Sequence, residues 1–279
     1  MVASCRKGSF LMNNNRLLGL IISVALLILV FPALALAKPT LPTIDKSELD
    51  RGIVLVSYEA GDKGNYIIRI TKGMKTYDYP VVPNGRYPLQ IGNGNYKILI
   101  GEQITGKTYK AVASEDIKLD LKDTKIAFLQ STYMINWHSQ TKAVVKANEL
   151  TKQLKTNREK LSVIYDYIVN NISYDYDLAK TVQSGYVPNL DVTYDKASGI
   201  CYDYATMMAA MLRSVGLPTK LVMGFHKDDL ETYHAWNEVY VDGKWLTIDT
   251  TYDAVKVQAG SKTPMVQNDI DYIAAYKEY

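Results

Sequence analysis

Three residues in the second half of the chain could carry nucleophilic chemistry together: Cys201, His234 and Asp249. A thiol becomes a strong nucleophile beside an imidazolium, and a carboxylate fixes the tautomer and orientation of that imidazole. Cysteine acyl chemistry needs those three groups. Taken singly each has a plainer role: a small buried thiol under a helix, a satisfied strand histidine, a turn-forming aspartate at a strand end. Their placement in the chain decides between these readings.

Cys201 sits where a helix opens. Ala205, Met208, Ala209 and Leu212 recur at i, i+3, i+4 and i+7 and predict one buried face. Gly216 and Pro218 supply the stop. Ser198 is the expected N-cap, with Gly199 giving the chain room to turn. That puts Cys201 in the first turn, where unpaired N–H groups and the helix dipole favour a thiolate and could hold an oxyanion. His234 and Asp249 are expected on a hairpin. Tyr233–Val241 and Lys244–Tyr252 read as strands joined by Asp242-Gly243, a strong two-residue turn signal. Pairing Val241 with Lys244 then sets Trp236 opposite Asp249 and His234 opposite Thr251, with all four on one face. His234 and Asp249 become diagonal neighbours, with Cα atoms about 7–8 Å apart.

The other histidines fit this chemistry less well. His138 precedes the first helix with no readable carboxylate partner, and His226 falls in an expected loop, 224–232, as a solvated residue. No C-x-x-C or H-x-x-x-H pair points to zinc, and no glycine-rich loop resembles a phosphate cradle. No cofactor and no metal is expected.

The elements that must position the site begin near residue 125, where the period changes from two to 3.6. Ala143–Leu154 and Arg158–Asn171 read as helices, the second with a stripe of Leu161, Ile164, Tyr165, Ile168 and Ile172. Residues 173–198 read as a long polar connection, a length often tied to function. Upstream, Ile53–Tyr58, Tyr66–Thr71, Lys75–Val81, Arg86–Ile91, Tyr96–Gly101, Tyr109–Ala113 and Ile117–Leu121 read as short strands. Seven strands at this spacing suggest an immunoglobulin-like β-sandwich. Its tyrosines (58, 66, 77, 79, 87, 96 and 109) could form a sugar- or peptide-binding face, although tyrosine also suits a half-buried pleated surface. The expected division is a leader over 1–37, a linker over 38–51, a β-sandwich domain over 52–124 and a second domain over 125–279.

Composition excludes several classes. Of 279 residues, 47% are hydrophobic and 22% charged, the balance of a globular protein and not of a disordered, collagenous or multi-span membrane one. With 32 basic and 29 acidic residues the formal charge is +3. Arg6, Lys7 and Arg16 carry that whole excess, so the pI says nothing about nucleic acid, and no nucleic-acid partner is expected. Arg16, the apolar run 17–31 and Ala35-Leu36-Ala37 read as a signal peptide cut after Ala37; the alternative is an uncleaved anchor, the one expected membrane contact. The mature chain would keep one cysteine, Cys201, and no disulfide, and would be secreted or held at the cell surface.

Four blocks together resemble a known family. They are Gly199-Ile200-Cys201-Tyr202-Asp203-Tyr204-Ala205; Gly216-Leu217-Pro218; His234-Ala235-Trp236-Asn237 through Trp245; and Ile248-Asp249-Thr250-Thr251. Their order and spacing are similar to the transglutaminase-like superfamily core, and 164–175 resembles the helix before it. The resemblance covers roughly residues 130–255. It implies an α+β, papain-like transglutaminase core, with the Cys helix packed on an antiparallel sheet. It implies Cys201 as nucleophile, His234 as general base and acid, and Asp249 as orienting carboxylate. The implied function is cysteine-dependent transamidation, deamidation or proteolysis of a protein or peptide, such as a cell-wall peptide or surface protein. Tyr202 stands where animal transglutaminases carry Trp, which weakens transfer to the calcium-dependent cross-linking enzymes. Asn237 stands where an apolar residue is common. The alternative reading is an inactive surface binding or adhesion module that retains the fold.

Overall fold

The computed structural model describes residues 41–58 and 65–276, which belong to one compact unit. The expected leader lies outside the described residues. Among those described, no helix is long and apolar enough to cross a membrane.

Among the described residues of the first half are seven strands: β1 (Thr43–Asp45), β2 (Ile53–Ser57), β3 (Tyr66–Lys72), β4 (Lys75–Pro80), β5 (Gly85–Pro88), β6 (Gly94–Thr105) and β7 (Thr108–Leu119). They form two antiparallel sheets, in the orders β1-β2-β5 and β4-β3-β6-β7. Alternate residues turn inward as the period predicts: Val54 and Val56, Ile68 and Ile70, Ile98 and Ile100 are fully buried and share one apolar core. Two expectations are corrected here. The linker contains β1, which pairs along β2. The strands expected at Tyr109–Ala113 and Ile117–Leu121 are one strand, because β6 runs on beside them and pairs Leu99 with Ser114 and Ile98 with Glu115. Most of the tyrosines face the core: Tyr66, Tyr77, Tyr79, Tyr87 and Tyr96 are buried. Tyr87 stacks on Tyr133 with ring centroids 6.1 Å apart, and Arg86 donates through Nε to the Ser131 carbonyl at 2.8 Å. The β-rich half is thus tied to the chain that leads into the helices.

The second half opens with α1 (Lys142–Thr151) and α2 (Asn157–Asn171). Thr156 and Glu159 cap α2 reciprocally, with Thr156 N–H to Glu159 Oε2 at 2.9 Å and Glu159 N–H to Thr156 Oγ1 at 3.2 Å. Its whole predicted stripe, Leu161, Ile164, Tyr165, Ile168 and Ile172, is buried. The stretch expected as one long connection instead holds β8 (Ser173–Tyr174), α3 (Tyr176–Thr181), α4 (Leu190–Lys196) and β9 (Ser198–Gly199). The two helices are too short to show a periodic stripe; Asp175 and Asn189 cap them, and β8 pairs in parallel with β9.

Then come α5 (Cys201–Ser214), β10 (Thr219–His226), β11 (Asp229–Val241), β12 (Lys244–Ile248), α6 (Thr250–Gln258) and β13 (Tyr272–Tyr276). The four strands make one antiparallel sheet in the order β12-β11-β10-β13. α5 is buried on every side, not on one face: every residue from Asp203 to Arg213 is buried. The β11–β12 turn is as expected. Asp242 and Gly243 both have positive φ, 53° and 83°, and Val241 pairs with Lys244 and Tyr240 with Trp245. The expected register stops at Asn237 opposite Ile248. Asp249 is not a strand residue facing Trp236, and Thr251 does not face His234, because 250–252 begin α6.

Candidate active site

The start of α5 is organised by a carboxylate that the sequence reading left unassigned. Buried Asp203 accepts the Ile200 N–H at 2.9 Å, the Tyr186 hydroxyl at 2.7 Å and the Thr193 hydroxyl at 3.1 Å. Ile200 therefore occupies the N-cap position, and Ser198, expected there, lies in β9. Gly199 is required by this closure, since a Cβ there would lie 2.6 Å from the Asp203 Cβ. A carboxylate three residues after an N-cap is a recognisable signal and could have located the helix start. Cys201 is the first helical residue, a half-buried free thiol in a turn whose N–H groups have no carbonyl four residues back inside the helix.

His234 projects from β11 with its side chain 13% exposed, between the rings of Trp236 and Tyr252, both 6.2 Å away centre to centre. Asp249, wholly buried, ends the hairpin and caps α6. Its Oδ1 accepts the Tyr252 N–H at 3.0 Å, and its Oδ2 meets His234 Nε2 at 2.7 Å. The predicted neighbours do meet, though through a helix cap and not across a strand ladder. With Nε2 engaged by Asp249, Nδ1 is the nitrogen left for the thiol. Burial alone would lower the His234 pKa; the charge and hydrogen bond of Asp249, and then the Cys201 sulfur, overturn that and raise it to about 10.

Cys201 and His234 share the wall of a cleft of about 560 Å³. The segment Gln183–Val187 and Tyr133-Met134 form further walls, and Asp78, Tyr79 and Pro80 of β4 close it from the β-rich half. A second hollow of about 390 Å³, lined by Tyr174, Tyr176, Tyr252, Val255 and Lys256, reaches His234 from its other side.

Two buried side chains hold the elements together. Asn237 on β11 donates through Nδ2 to the Ala205 carbonyl of α5 and to the Lys220 carbonyl of β10, both at 3.0 Å. Asp253 on α6 accepts from Tyr165 of α2 at 2.9 Å, Thr263 at 2.7 Å and Gln267 at 2.9 Å. His226 is corrected: it ends β10, stacks on Tyr252 at 5.4 Å and meets the edge of Tyr272 at 5.2 Å. His138 lies apart, with Nδ1 3.2 Å from Gln140 Oε1. Among the described residues no group of His, Cys, Asp and Glu is arranged to hold a metal ion.

A raised histidine pKa makes stability depend on pH in a definite direction. The His234–Asp249 contribution is fully present below the unfolded-state value near 6.5 and is lost as pH rises through about 10. Urea unfolding of wild type and His234→Gln at pH 6 and pH 10 should show the stability gap shrinking at pH 10, by on the order of 1–3 kcal/mol. A gap of constant size would mean that folding leaves the His234 pKa at its unfolded-state value.

A helix-borne thiol and a strand-borne imidazole share one cleft, and a buried helix-capping carboxylate holds the imidazole from behind, on a mixed α and β core. Residues 145–250 match the transglutaminase-like superfamily, and the chain carries a domain of that superfamily. A UPF0252 protein of Methanocaldococcus jannaschii is 27% identical over 217 residues, covering 67% of this chain and 59% of that protein. The protein-glutamine gamma-glutamyltransferase of Pseudomonas aeruginosa is 30% identical over 98 residues, 30% of this chain and 14% of that protein. The kyphoscoliosis peptidase of Homo sapiens is 25% identical over 136 residues, 45% of this chain and 20% of that protein. The chain thus spans less than two thirds of the length of each of these relatives.

Proposed function

We propose that this protein is a cysteine acyltransferase or hydrolase acting on amide bonds of protein or peptide. The observation that carries the reading is the 2.7 Å contact between His234 Nε2 and Asp249 Oδ2, in the imidazole that shares the cleft with Cys201. Cys201 Sγ attacks a carboxamide or peptide carbonyl, and the first-turn N–H groups of α5 face the developing oxyanion. The tetrahedral adduct collapses as His234 gives its proton to the leaving nitrogen. The carbon–nitrogen bond breaks, ammonia or an amine departs, and a thioester remains on Cys201. An amine or a water molecule, deprotonated by His234, then attacks the thioester and frees the thiol. The first acceptor gives transamidation; the second gives deamidation or proteolysis. Relatives named as a glutamyltransferase and as a peptidase support both routes.

The same reading makes residues 52–124 an immunoglobulin-like sandwich that supplies β4 to the cleft wall, ahead of a catalytic domain over 125–279. It places the protein outside the cytoplasm, at or beyond the cell surface. That location is supported only by the n-region, apolar run and Ala35-Leu36-Ala37 of the first 37 residues.

Mass spectrometry of glutamine-containing proteins, incubated with the full chain and a primary amine, separates the outcomes. Amine incorporation, loss of ammonia alone and chain cleavage each identify one reaction. If none of the three occurs in any substrate while Cys201 is still alkylated by iodoacetamide, the acyl-transfer reading fails and the binding-module reading replaces it.

A further inference from the structure

Asp249 is held from a side that none of the four sequence blocks includes. Its Oδ2 accepts not only from His234 but also from the Tyr272 hydroxyl, at 3.1 Å. Tyr272 begins β13, beyond the superfamily-matched residues 145–250. Its ring lies 5.0 Å from Trp236 and 5.2 Å from His226.

The strand that delivers it is docked closely. β13 pairs antiparallel with β10, His226 opposite Tyr272 and Gly224 opposite Ala274. A Cβ on Gly224 would lie 2.1 Å from the Ile273 carbonyl oxygen and 2.7 Å from the Ala275 nitrogen, so β13 reaches this position because residue 224 has no side chain. Lys227 adds a latch, with its N–H on the Asp271 carbonyl at 2.8 Å and its Nζ on Asp271 Oδ1 at 2.6 Å.

We propose that Tyr272 is a positioning residue of the Cys201–His234–Asp249 site, brought in by β13, and that its hydroxyl sets how tightly Asp249 holds His234. The consequence for turnover rests on the acyl-transfer reading; the consequence for His234 does not. One oxygen serves both donors. The phenol takes up part of the negative charge on Oδ2, and what remains holds the imidazolium. Without the phenol, that charge falls on His234 alone, and the imidazolium yields its proton to a leaving amine less readily. The Asp249 side chain is also pinned at both oxygens, Oδ1 by the α6 cap and Oδ2 by the two donors, which keeps it from rotating away from Nε2.

The ionisable groups that face Tyr272 are Asp249, Asp253 and Tyr252 around the start of α6 and His226 at the end of β10, with His234 across Asp249 and the Lys227–Asp271 latch beside it. Burial first, and then the charges of Asp249 and Asp253, push the phenol far above its ordinary value, so it stays a donor over the range in which His234 titrates.

The test is a side-chain NMR titration of His234 in the full chain, compared among wild type, Tyr272→Phe and Gly224→Ala. It needs no substrate. In Tyr272→Phe the His234 midpoint should move up by about half a pH unit or more, the loss of one hydrogen bond to a charged group. Gly224→Ala should move it the same way, because the new methyl forces β13 off β10, and the double variant should add little. With an amide substrate in hand, Tyr272→Phe should lower kcat roughly tenfold with KM little changed. An unmoved midpoint in Tyr272→Phe overturns the proposal, whatever happens to Tm, and leaves Tyr272 a packing residue. A moved midpoint in a protein that turns over no amide upholds it and sinks the acyl-transfer reading alone.

Discussion

Cys201→Ala should abolish turnover of an amide substrate and leave the thermal transition of the protein in place. Among the described residues the thiol is the only group at the cleft that can form a thioester, and exchanging a half-buried sulfhydryl for hydrogen disturbs little packing. His234→Ala should lose nearly as much, because the thiol would then have no base and the leaving amine no acid. Asp249→Asn should lose less, on the order of 10²–10⁴ in kcat, because the imidazole stays while its tautomer is no longer enforced. The structure adds a second consequence for Asp249→Asn. An amide nitrogen in the place of Oδ2 confronts two donors, His234 Nε2 and the Tyr272 hydroxyl, so unfolding must be followed beside activity. His234→Ala combined with Asp249→Asn should cost little beyond His234→Ala alone. Activity retained in Cys201→Ala, or additive losses in the two others, would remove the triad assignment.

Asn237→Asp should unfold the protein more readily than any other single-atom exchange near the site, by about 3–5 kcal/mol. Asn237 is fully buried, and its Nδ2 donates to two carbonyls at 3.0 Å. A carboxylate there faces both carbonyl oxygens with no donor and carries a buried charge with no counter-ion. Against a total stability of roughly 5–15 kcal/mol this is a large share. Asn237→Leu keeps the volume and the neutrality and should cost less, about 1–3 kcal/mol for the lost hydrogen bonds. Urea unfolding of both variants decides; an Asn237→Asp protein as stable as Asn237→Leu would mean that the site admits water. Turnover should fall too, since Asn237 ties α5 one turn after Cys201 to β11 three residues after His234.

The departure at Asn237, readable in the sequence as an oddity among apolar residues, is thus the bond between the helix that begins at Cys201 and the strand that carries His234. Other parts of the site were legible for local reasons. The Asp242-Gly243 turn needs two positive φ angles, which few dipeptides tolerate, so the β11–β12 register followed from two residues. The stripe of α2 and the break at Gly216-Pro218 are equally local. The register beyond Asn237 was not legible. Whether Asp249 continues the strand or caps a helix depends on whether the next residues coil, and Thr250-Thr251-Tyr252 suits a strand by propensity. The tertiary setting of α6 against α2, through Asp253 and Tyr165, overrides that preference.

From the sequence alone came the grouping of three residues and its chain order: a thiol at a helix start, an imidazole and a carboxylate on either side of a tight turn. These follow from caps, turns and periodicity, which are short-range and leave their marks in neighbouring residues. Only the tertiary structure decided what holds them. Tyr186 and Thr193 anchoring Asp203, Asn237 bridging α5 and β10, and Tyr272 reaching Asp249 from β13 all join residues whose partners lie far off in the chain or in another element. A hydrogen bond across such a distance leaves no periodic trace, because it depends on the docking of whole elements and not on the spacing of residues within one.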